Sequence, residues 1–309
     1  MNTTVSIAMA TYNGAKFLRP LLDSLMNQTM TPTEIIVCDD QSKDETVAIL
    51  EEYKGKLPIK VFINEKNLGV NLNFEKAVKN CTSDYILICD QDDIWLENNI
   101  EEKVRALIKL GNKKPAFVGS YSTIVNAKND IVMKFPVYKY TENFRDVFLC
   151  LYQGTCMGFS KTLIPYLNEW PSNFKEYAYD RYIGYVSVLV ANVCNLPKNL
   201  MLYRCHSDNV ELTSASKSHI QLRRIGFVSN LIYFSQRRPT VKKMEKMALL
   251  LKSDCCAAAD KSRLNFFNAF ASCLKEGNIS WFKYIKQNEI ALFYRIKTLF
   301  AFLLSNVVK

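Results

Sequence analysis

Strand-like and helix-like segments alternate along roughly the first third of this chain, and no other feature constrains its fold so strongly. Short runs rich in β-branched and aromatic residues predict strands at residues 5–10, 34–38, 59–64 and 84–89. Apolar residues at helical spacing predict helices at residues 15–27, 42–53, 72–80 and 97–110. Successive strands joined by helices form a parallel sheet with right-handed crossovers. The sequence therefore predicts an α/β fold.

The rest of the chain is less regular. Strands are predicted at residues 116–125 and 131–135 on either side of an Asn129-Asp130 turn, and the run 149–160 also has strand character. A helix is predicted at residues 182–191 and a strand at 200–204. Beyond these the chain becomes basic with helical periodicity. We predict a first domain at residues 1–214 and a basic helical region at residues 215–309.

The hexapeptide Asp90-Gln91-Asp92-Asp93-Ile94-Trp95 directly follows the fourth predicted strand. Its three carboxylates repel one another, and no basic residue stands close by in the sequence to offset them. Hard divalent cations prefer oxygen ligands, and open α/β sheets bind ligands at the carboxyl ends of their strands. The hexapeptide therefore predicts a metal site, with one alternative: Asp93 caps a helix that begins near Ile94. A second capping pattern, Ser42 followed by Glu45, predicts a capping box.

The net charge of +10 arises mainly in residues 217–309 and suggests an anionic partner, although solvated helix faces also account for such charge. The ten cysteines lack metal-type spacing. Cys38 and Cys89 lie in apolar runs, where cysteine behaves as a small buried apolar residue. We expect the thiols to be reduced, as is usual in the cytosol. We expect neither a signal peptide nor a membrane span, because no charged leader and no sufficiently long apolar stretch are present.

Glycine-rich phosphate loops of the dinucleotide-binding and P-loop types do not occur in the sequence. A nucleotidyltransferase of related fold is one alternative, but it would carry a glycine-rich basic loop after the first strand, where this chain has Ala10-Thr11-Tyr12-Asn13-Gly14. A basic nucleic-acid-binding protein is another, yet its basic residues would be interleaved with aromatic residues. We expect no nucleic-acid partner.

Four motifs at predicted strand and helix ends, taken together in their order, resemble the glycosyltransferases of family 2, which have the GT-A fold. The motifs are Thr11-Tyr12-Asn13, Asp39-Asp40-Gln41-Ser42, Asn67-Leu68-Gly69 and the acidic hexapeptide. The hexapeptide is most similar to a bacterial branch that includes rhamnosyltransferases of O-antigen or capsule synthesis. The resemblance covers about residues 3–212. It implies a mixed, mostly parallel sheet flanked by helices, with a C-terminal helical extension.

The resemblance also implies inverting, metal-dependent transfer from a UDP- or dTDP-linked sugar. The residues it assigns to the nucleotide-sugar donor are Thr11, Tyr12, Asn13, Asp39, Asp40, Asn67, Asp90, Gln91 and Arg204. Asp92 and His206 are assigned to Mn²⁺ or Mg²⁺, which neutralises the diphosphate as it leaves. For Asp40 and Asp44 the alternative is a structural role in their turn.

Asp180 matches the general base of the family, which takes the proton from the acceptor hydroxyl. The alternatives are that Asp180 caps a helix or pairs with Arg181, and Glu176 is the next candidate for the base. The resemblance places Gly154, Thr155 and Cys156 on the acceptor side. Glycine there allows close approach of a sugar or simply a tight turn.

The apolar segment at residues 290–304 contains Arg295 and Lys297, which suits a helix at an anionic membrane surface. A helix packed on the catalytic domain or in a dimer is the alternative. By resemblance we expect a lipid-linked saccharide acceptor and a cytoplasmic protein bound peripherally to the inner face of the cell membrane.

Overall fold

A computed structural model describes residues 3–111, 113–134, 140–144, 147, 152–168, 170–172, 178–206, 261–263 and 265. The chain divides into two compact units, Met1–Arg204 and Cys205–Lys309. The fold given below is that of the first unit. The predicted boundary at residue 214 and the predicted tail helix at residues 290–304 lie outside the described residues, so both stay predictions.

Strands and helices alternate through the first half of this unit, as the sequence predicts. The strands are β1 (Val5–Thr11), β2 (Glu34–Asp39), β3 (Ile59–Ile63), β4 (Tyr85–Asp90), β5 (Ile94–Trp95), β6 (Ala116–Asn126), β7 (Ile131–Lys134), β8 (Met157–Ser160) and β9 (Asn192–Cys205). The helices are α1 (Ala15–Met26), α2 (Thr46–Tyr53), α3 (Val70–Asn80), α4 (Asn99–Lys109) and α5 (Tyr179–Val190). Two short 3₁₀ segments, Gly154–Cys156 and Lys161–Tyr166, flank β8.

The nine strands form one mixed sheet in the order β3-β2-β1-β4-β8-β6-β9-β5, with β7 paired to β6. Strands β3, β2, β1 and β4 are parallel, whereas β4 with β8 and β8 with β6 are antiparallel. This confirms the predicted fold class. Ala10 pairs with both Cys38 and Asp90, so the carboxyl ends of β1, β2 and β4 lie level at one edge.

The helices pack their apolar faces on the sheet. In α1 the residues at helical spacing, Phe17, Leu18, Leu21, Leu22 and Leu25, are all buried. Cys38 and Cys89 are fully buried within their strands, as predicted for small apolar residues. Among the residues that the structure describes, no helix combines the length and apolar character that crossing a bilayer requires.

The role of helix cap, given as the alternative for Asp93, does not hold. Helix α4 is preceded by Asn98, so Asp93 does not cap it. Instead, the hexapeptide ends in β5, where Ile94 and Trp95 pair with Leu202 and Met201 of β9.

The predicted capping box of Ser42 and Glu45 is also absent at the start of α2, which follows Glu45, and the Glu45 side chain makes no capping hydrogen bond. The Ser42 hydroxyl donates to Asp39 Oδ2 at 2.6 Å instead, because the buried carboxylate competes for it.

Candidate functional site

The first two strands end in a pair of buried polar side chains. Thr11 Oγ1 donates to Asp39 Oδ2 at 2.8 Å, and the backbone N–H of Ser42 donates to Asp39 Oδ1 at the same distance. Both Thr11 and Asp39 are fully or almost fully buried. They therefore lie together at the predicted edge and hold the two loops that follow β1 and β2 at a fixed spacing.

Asp40 braces the turn formed by Asn67, Leu68 and Gly69. Its carboxylate accepts the backbone N–H groups of Leu68 at 2.7 Å and Gly69 at 2.8 Å, as well as Asn64 Nδ2 at 2.8 Å. Asn67 Nδ2 donates to the Asp40 carbonyl at 3.2 Å. Asp40 therefore makes the contacts of a structural residue, the role that the sequence left open as an alternative. These contacts also bring the Asn67-Leu68-Gly69 motif to the same edge of the sheet.

Gln91 clamps the loop after β1. Its Oε1 accepts the backbone N–H of Tyr12 at 2.9 Å and its Nε2 donates to the Tyr12 carbonyl at 3.0 Å. A Cβ atom on Gly14 would lie 2.2 Å from Gln91 Oε1, so only glycine leaves room for this side chain. The Tyr12 side chain, 49% exposed, is presented at the surface by the clamp.

The first turn of α1 is held by the loop that follows β2. The backbone N–H of Asn13 donates to Ser42 Oγ at 2.9 Å, and the N–H of Ala15 donates to Asp44 Oδ2 at 3.0 Å. Burial alone would raise the pKa of Asp44, but the hydrogen bonds from Thr46 and Ala15 outweigh it and lower the pKa. Asp44 therefore caps α1, the role that the sequence left as an alternative.

The acidic loop, residues 90–93 of the hexapeptide, places three carboxylates within electrostatic reach of one another. Asp90 and Asp92 are half-buried and Asp93 is completely buried. Burial raises the pKa of Asp93 well above its usual range, and the charges of Asp92 and Asp90 raise it further. A divalent cation beside Asp92 would relieve this repulsion, so the residues fit the predicted metal.

Within the described part of the chain, no three His, Cys, Asp or Glu side chains form a ready-made metal cage. Mg²⁺ is commonly held by one or two carboxylates together with substrate phosphates and water. The acidic loop suits binding of that kind, in which the substrate completes the coordination.

Two buried cations lie beside the acidic loop, although neither is close to it in sequence. The backbone N–H of Arg204 donates to Asp93 Oδ1 at 3.1 Å, and its guanidinium stacks 4.9 Å from the centroid of the Phe17 ring. Burial lowers the pKa of Arg204, while Asp92 and Asp93 oppose that shift. No basic residue stands close to the acidic hexapeptide in the sequence, but folding brings in Arg204, itself a predicted donor-binding residue.

Lys103 is the second cation, and sequence reasoning missed it. The side chain is completely buried, donates from Nζ to the Thr155 carbonyl at 2.9 Å and lies 5.1 Å from the Trp95 ring centroid. Burial lowers its pKa to about 8, although the negative charge of Asp93 opposes this. The sequence does contain a signal of this burial, because Lys103 falls in the apolar stripe of α4, between Ile100 and Leu107.

Helix α5 carries Asp180 in its first turn. The residue before the helix is Ala178, so Asp180 is not the N-cap, and its Oδ1 accepts the neighbouring N–H of Arg181 at 2.6 Å. Asp180 is 5% exposed. It lines a largely apolar cavity together with Phe117, Val147, Tyr152, Met157, Arg181, Gly184 and Tyr185.

The segment predicted on the acceptor side forms a 3₁₀ turn whose residues Gly154, Thr155 and Cys156 are all buried. Burial raises the pKa of Cys156 to about 12, so its thiol stays protonated. A Cβ on Gly154 would lie 2.0 Å from Tyr179 Oη. Glycine is thus required by the packing of Tyr179, a reason that the sequence did not reveal.

Two predicted positions remain, His206 and Glu176. His206 is half-buried and directly follows β9, and its metal role stays a prediction. Glu176 lies outside the described residues.

Comparison with known proteins gives a family match over the part of the chain that forms this site. The model described as "Glycosyl transferase family 2" matches residues 6–165, slightly more than half of the 309 residues. An uncharacterised glycosyltransferase, RP339 of Rickettsia prowazekii, is 32% identical over 145 residues, which cover 47% of this chain and 45% of that protein.

A second relative is WfgD of Escherichia coli, a UDP-Glc:alpha-D-GlcNAc-diphosphoundecaprenol beta-1,3-glucosyltransferase. It is 34% identical over 131 residues, which cover 42% of this chain and 50% of WfgD. The matched region thus spans about half the length of these curated relatives.

Solved structures share the fold at low sequence identity. S. aureus TarS 1-349 in complex with UDP-GlcNAc superposes with a TM-score of 0.64 at 19% identity, over 88% of this chain and 72% of TarS. The mannosyltransferase PcManGT of Pyrobaculum calidifontis, in complex with GDP-Man and Mn²⁺, gives a TM-score of 0.52 at 15% identity, over 100% of this chain and 87% of PcManGT.

Proposed function

The chain belongs to glycosyltransferase family 2, and from this premise we propose that it moves a sugar from a UDP- or dTDP-linked donor to a saccharide acceptor with inversion. One observation carries the proposal: the acidic loop lies level with the ends of β1 and β2, beside Thr11 and Asp39. The carboxyl edge of parallel strands is where nucleotides bind in open α/β sheets. The exposed Tyr12 ring is available there to cover a base.

Mn²⁺ or Mg²⁺ is the proposed cofactor, held by Asp92 with Asp90 directed to the ribose or to a metal-bound water. When bound, the cation neutralises charge on the departing diphosphate. The repulsion among the loop carboxylates supports this assignment. Arg204, whose backbone N–H donates to Asp93 Oδ1, is the proposed source of positive charge on the same side.

Asp180 is the proposed general base. An inverting transfer needs a carboxylate to take the proton of the acceptor hydroxyl while the nucleotide leaves from the opposite face of the sugar. Asp180 directly follows Tyr179, whose hydroxyl donates to Asp90 Oδ1, and this position in the first turn of α5 near the acidic loop supports the assignment.

We propose a lipid-linked acceptor in bacterial surface polysaccharide synthesis, in the rhamnosyltransferase-like O-antigen or capsule branch. The named acceptor of WfgD, a diphosphoundecaprenol-linked sugar, supports this choice. Such an acceptor would place the protein at the inner face of the cell membrane. Family membership argues against the nucleotidyltransferase alternative, and a carboxylate-rich edge disfavours nucleic acid.

A donor screen by thermal shift tests the proposal, with UDP-, GDP- and dTDP-sugars in the presence and absence of Mn²⁺. Ligands that bind only the folded state raise the melting temperature. We expect one nucleotide class to stabilise the wild type when Mn²⁺ is present, and Asp92→Ala to abolish that shift.

Asp130→Ala is the matched control, because it removes an exposed carboxylate in the turn between β6 and β7. It should leave the shift unchanged. Unaltered Mn²⁺-dependent nucleotide affinity in Asp92→Ala would refute the assigned metal site.

A further inference from the structure

Tyr179 joins three parts of the candidate site. Its hydroxyl donates to Asp90 Oδ1 at 2.9 Å, which links the start of α5 to the end of β4. Its ring stacks on Phe74 of α3 with centroids 4.0 Å apart and planes 27° apart. Its edge fills the space that a side chain at position 154 would occupy. These contacts meet at one buried residue.

The backbone of Tyr179 is anchored as well. Its N–H donates to Asn71 Oδ1 at 2.9 Å, and Asn71 Nδ2 donates to the Pro171 carbonyl at 2.7 Å. Tyr179 is only 4% exposed, so the ring has little freedom to turn away. Its hydroxyl is therefore held in one direction, toward Asp90.

From these contacts we propose that Tyr179 is a positioning residue that orients the Asp90 carboxylate for the metal-bound nucleotide. The inference rests on the proposed function, since it gives a reason for the geometry of a donor-binding carboxylate. Residues that orient the groups around a metal site commonly affect its affinity by about 10–100-fold when they are removed. The ring has a separate task, which is to pack between Phe74 and Gly154.

Tyr179→Phe separates these two tasks, because phenylalanine keeps the ring and loses only the hydroxyl. Tyr53→Phe is the matched control: Tyr53 is also buried and also donates its hydroxyl to a carboxylate, Asp23 Oδ1 at 2.7 Å, but it lies on α2, away from the acidic loop. Any general cost of losing such a hydrogen bond appears in both variants.

The measurement is calorimetric titration of UDP, or dTDP if the donor screen selects it, into the full chain at a series of Mn²⁺ concentrations. We expect Tyr179→Phe to raise the Mn²⁺ concentration for half-maximal nucleotide binding about tenfold. Excess Mn²⁺ should restore binding and turnover. Tyr53→Phe should keep the wild-type Mn²⁺ dependence.

The outcomes separate the two proposals. Equal Mn²⁺ dependence in Tyr179→Phe, Tyr53→Phe and the wild type would overturn the positioning role while leaving the proposed function standing. A wild type that binds neither nucleotide at any Mn²⁺ concentration would overturn the proposed function and, with it, this inference.

Discussion

At the scale of the residue, the aspartates at the strand ends divide into two groups. The carboxylates of Asp40 and Asp44 accept hydrogen bonds from backbone N–H groups, whereas Asp90 and Asp92 are half-buried on the acidic loop. Their positions were predictable from the sequence because all four follow or flank strand signals. The sequence did not predict which aspartates are structural, because the backbone donors to Asp40 come from Leu68 and Gly69, which only folding brings near.

Asp180→Asn tests the general base. Asparagine nearly keeps the shape of the side chain but cannot take a proton at neutral pH, and a positioned base typically contributes about 10²–10⁴-fold to rate. We expect a loss of that size in transfer rate at saturating donor, with nucleotide and Mn²⁺ binding retained. Asp130→Asn makes the same chemical change on an exposed turn and should be silent. Near wild-type turnover in Asp180→Asn would move the base elsewhere, with Glu176 the next residue to test.

At the scale of the element, the parallel half of the sheet was predictable and the antiparallel half was only partly so. Strands β1 to β4 follow from local apolar runs and the helices between them. The two-residue strand β5 has no such signal, because it exists only through pairing with β9 more than a hundred residues later. Tyr179 was missed for the same reason: its partners Phe74, Asp90 and Gly154 are all distant in sequence.

The strand β2 also carries an ion pair at its amino end, between the buried Glu34 and the exposed Lys60. Glu34, 3% exposed, accepts from Ser6 Oγ at 2.7 Å, from the Thr82 N–H at 2.6 Å and from Lys60 Nζ at 2.9 Å. Burial alone would raise the pKa of Glu34, but these donors lower it from 4.5 to about 2. The ionised form therefore stabilises the fold above pH 4.5, and this stabilisation is lost as pH falls toward 2.

Glu34→Gln should accordingly destabilise the protein more at pH 6 than at pH 3. The difference in free energy of unfolding between wild type and variant should shrink by about 2 kcal/mol over that interval. Urea unfolding at the two pH values measures it. Glu52→Gln breaks the exposed Arg19 pair and should change stability little. A difference that is constant with pH would contradict the assigned role of Glu34.

At the scale of the whole molecule, charge is distributed unequally along the chain. Residues 1–216 contain slightly more acidic than basic residues, so the net charge of +10 comes entirely from residues 217–309. Anionic lipid attracts clustered Lys and Arg side chains with about 1 kcal/mol for each near the surface. The basic region is therefore the part of the chain expected to meet a membrane.

Vesicle sedimentation tests this expectation. The full chain should bind phosphatidylglycerol vesicles, bind phosphatidylcholine vesicles weakly, and dissociate at high salt. Changing Arg237, Arg238, Lys242 and Lys243 together to Glu should weaken binding at least about tenfold. Reversing the exposed Lys54, Lys56, Lys113 and Lys114 provides the control. Equal binding by both reversed proteins would remove the basic region from the explanation.

Strand β4 has a parallel neighbour on one side and an antiparallel neighbour on the other. Under the proposed roles, the nucleotide is recognised mainly from the β1 side and the acceptor from the β8 side. Apart from Arg204, the proposed donor residues and Asp92 precede β5, whereas Gly154 and Asp180 follow it, so chimeras joined after Asp93 should recombine the two specificities. Success would depend on compatible parents at the contacts that cross this junction, among them the hydrogen bonds from Tyr179 to Asp90 and from Arg204 to Asp93.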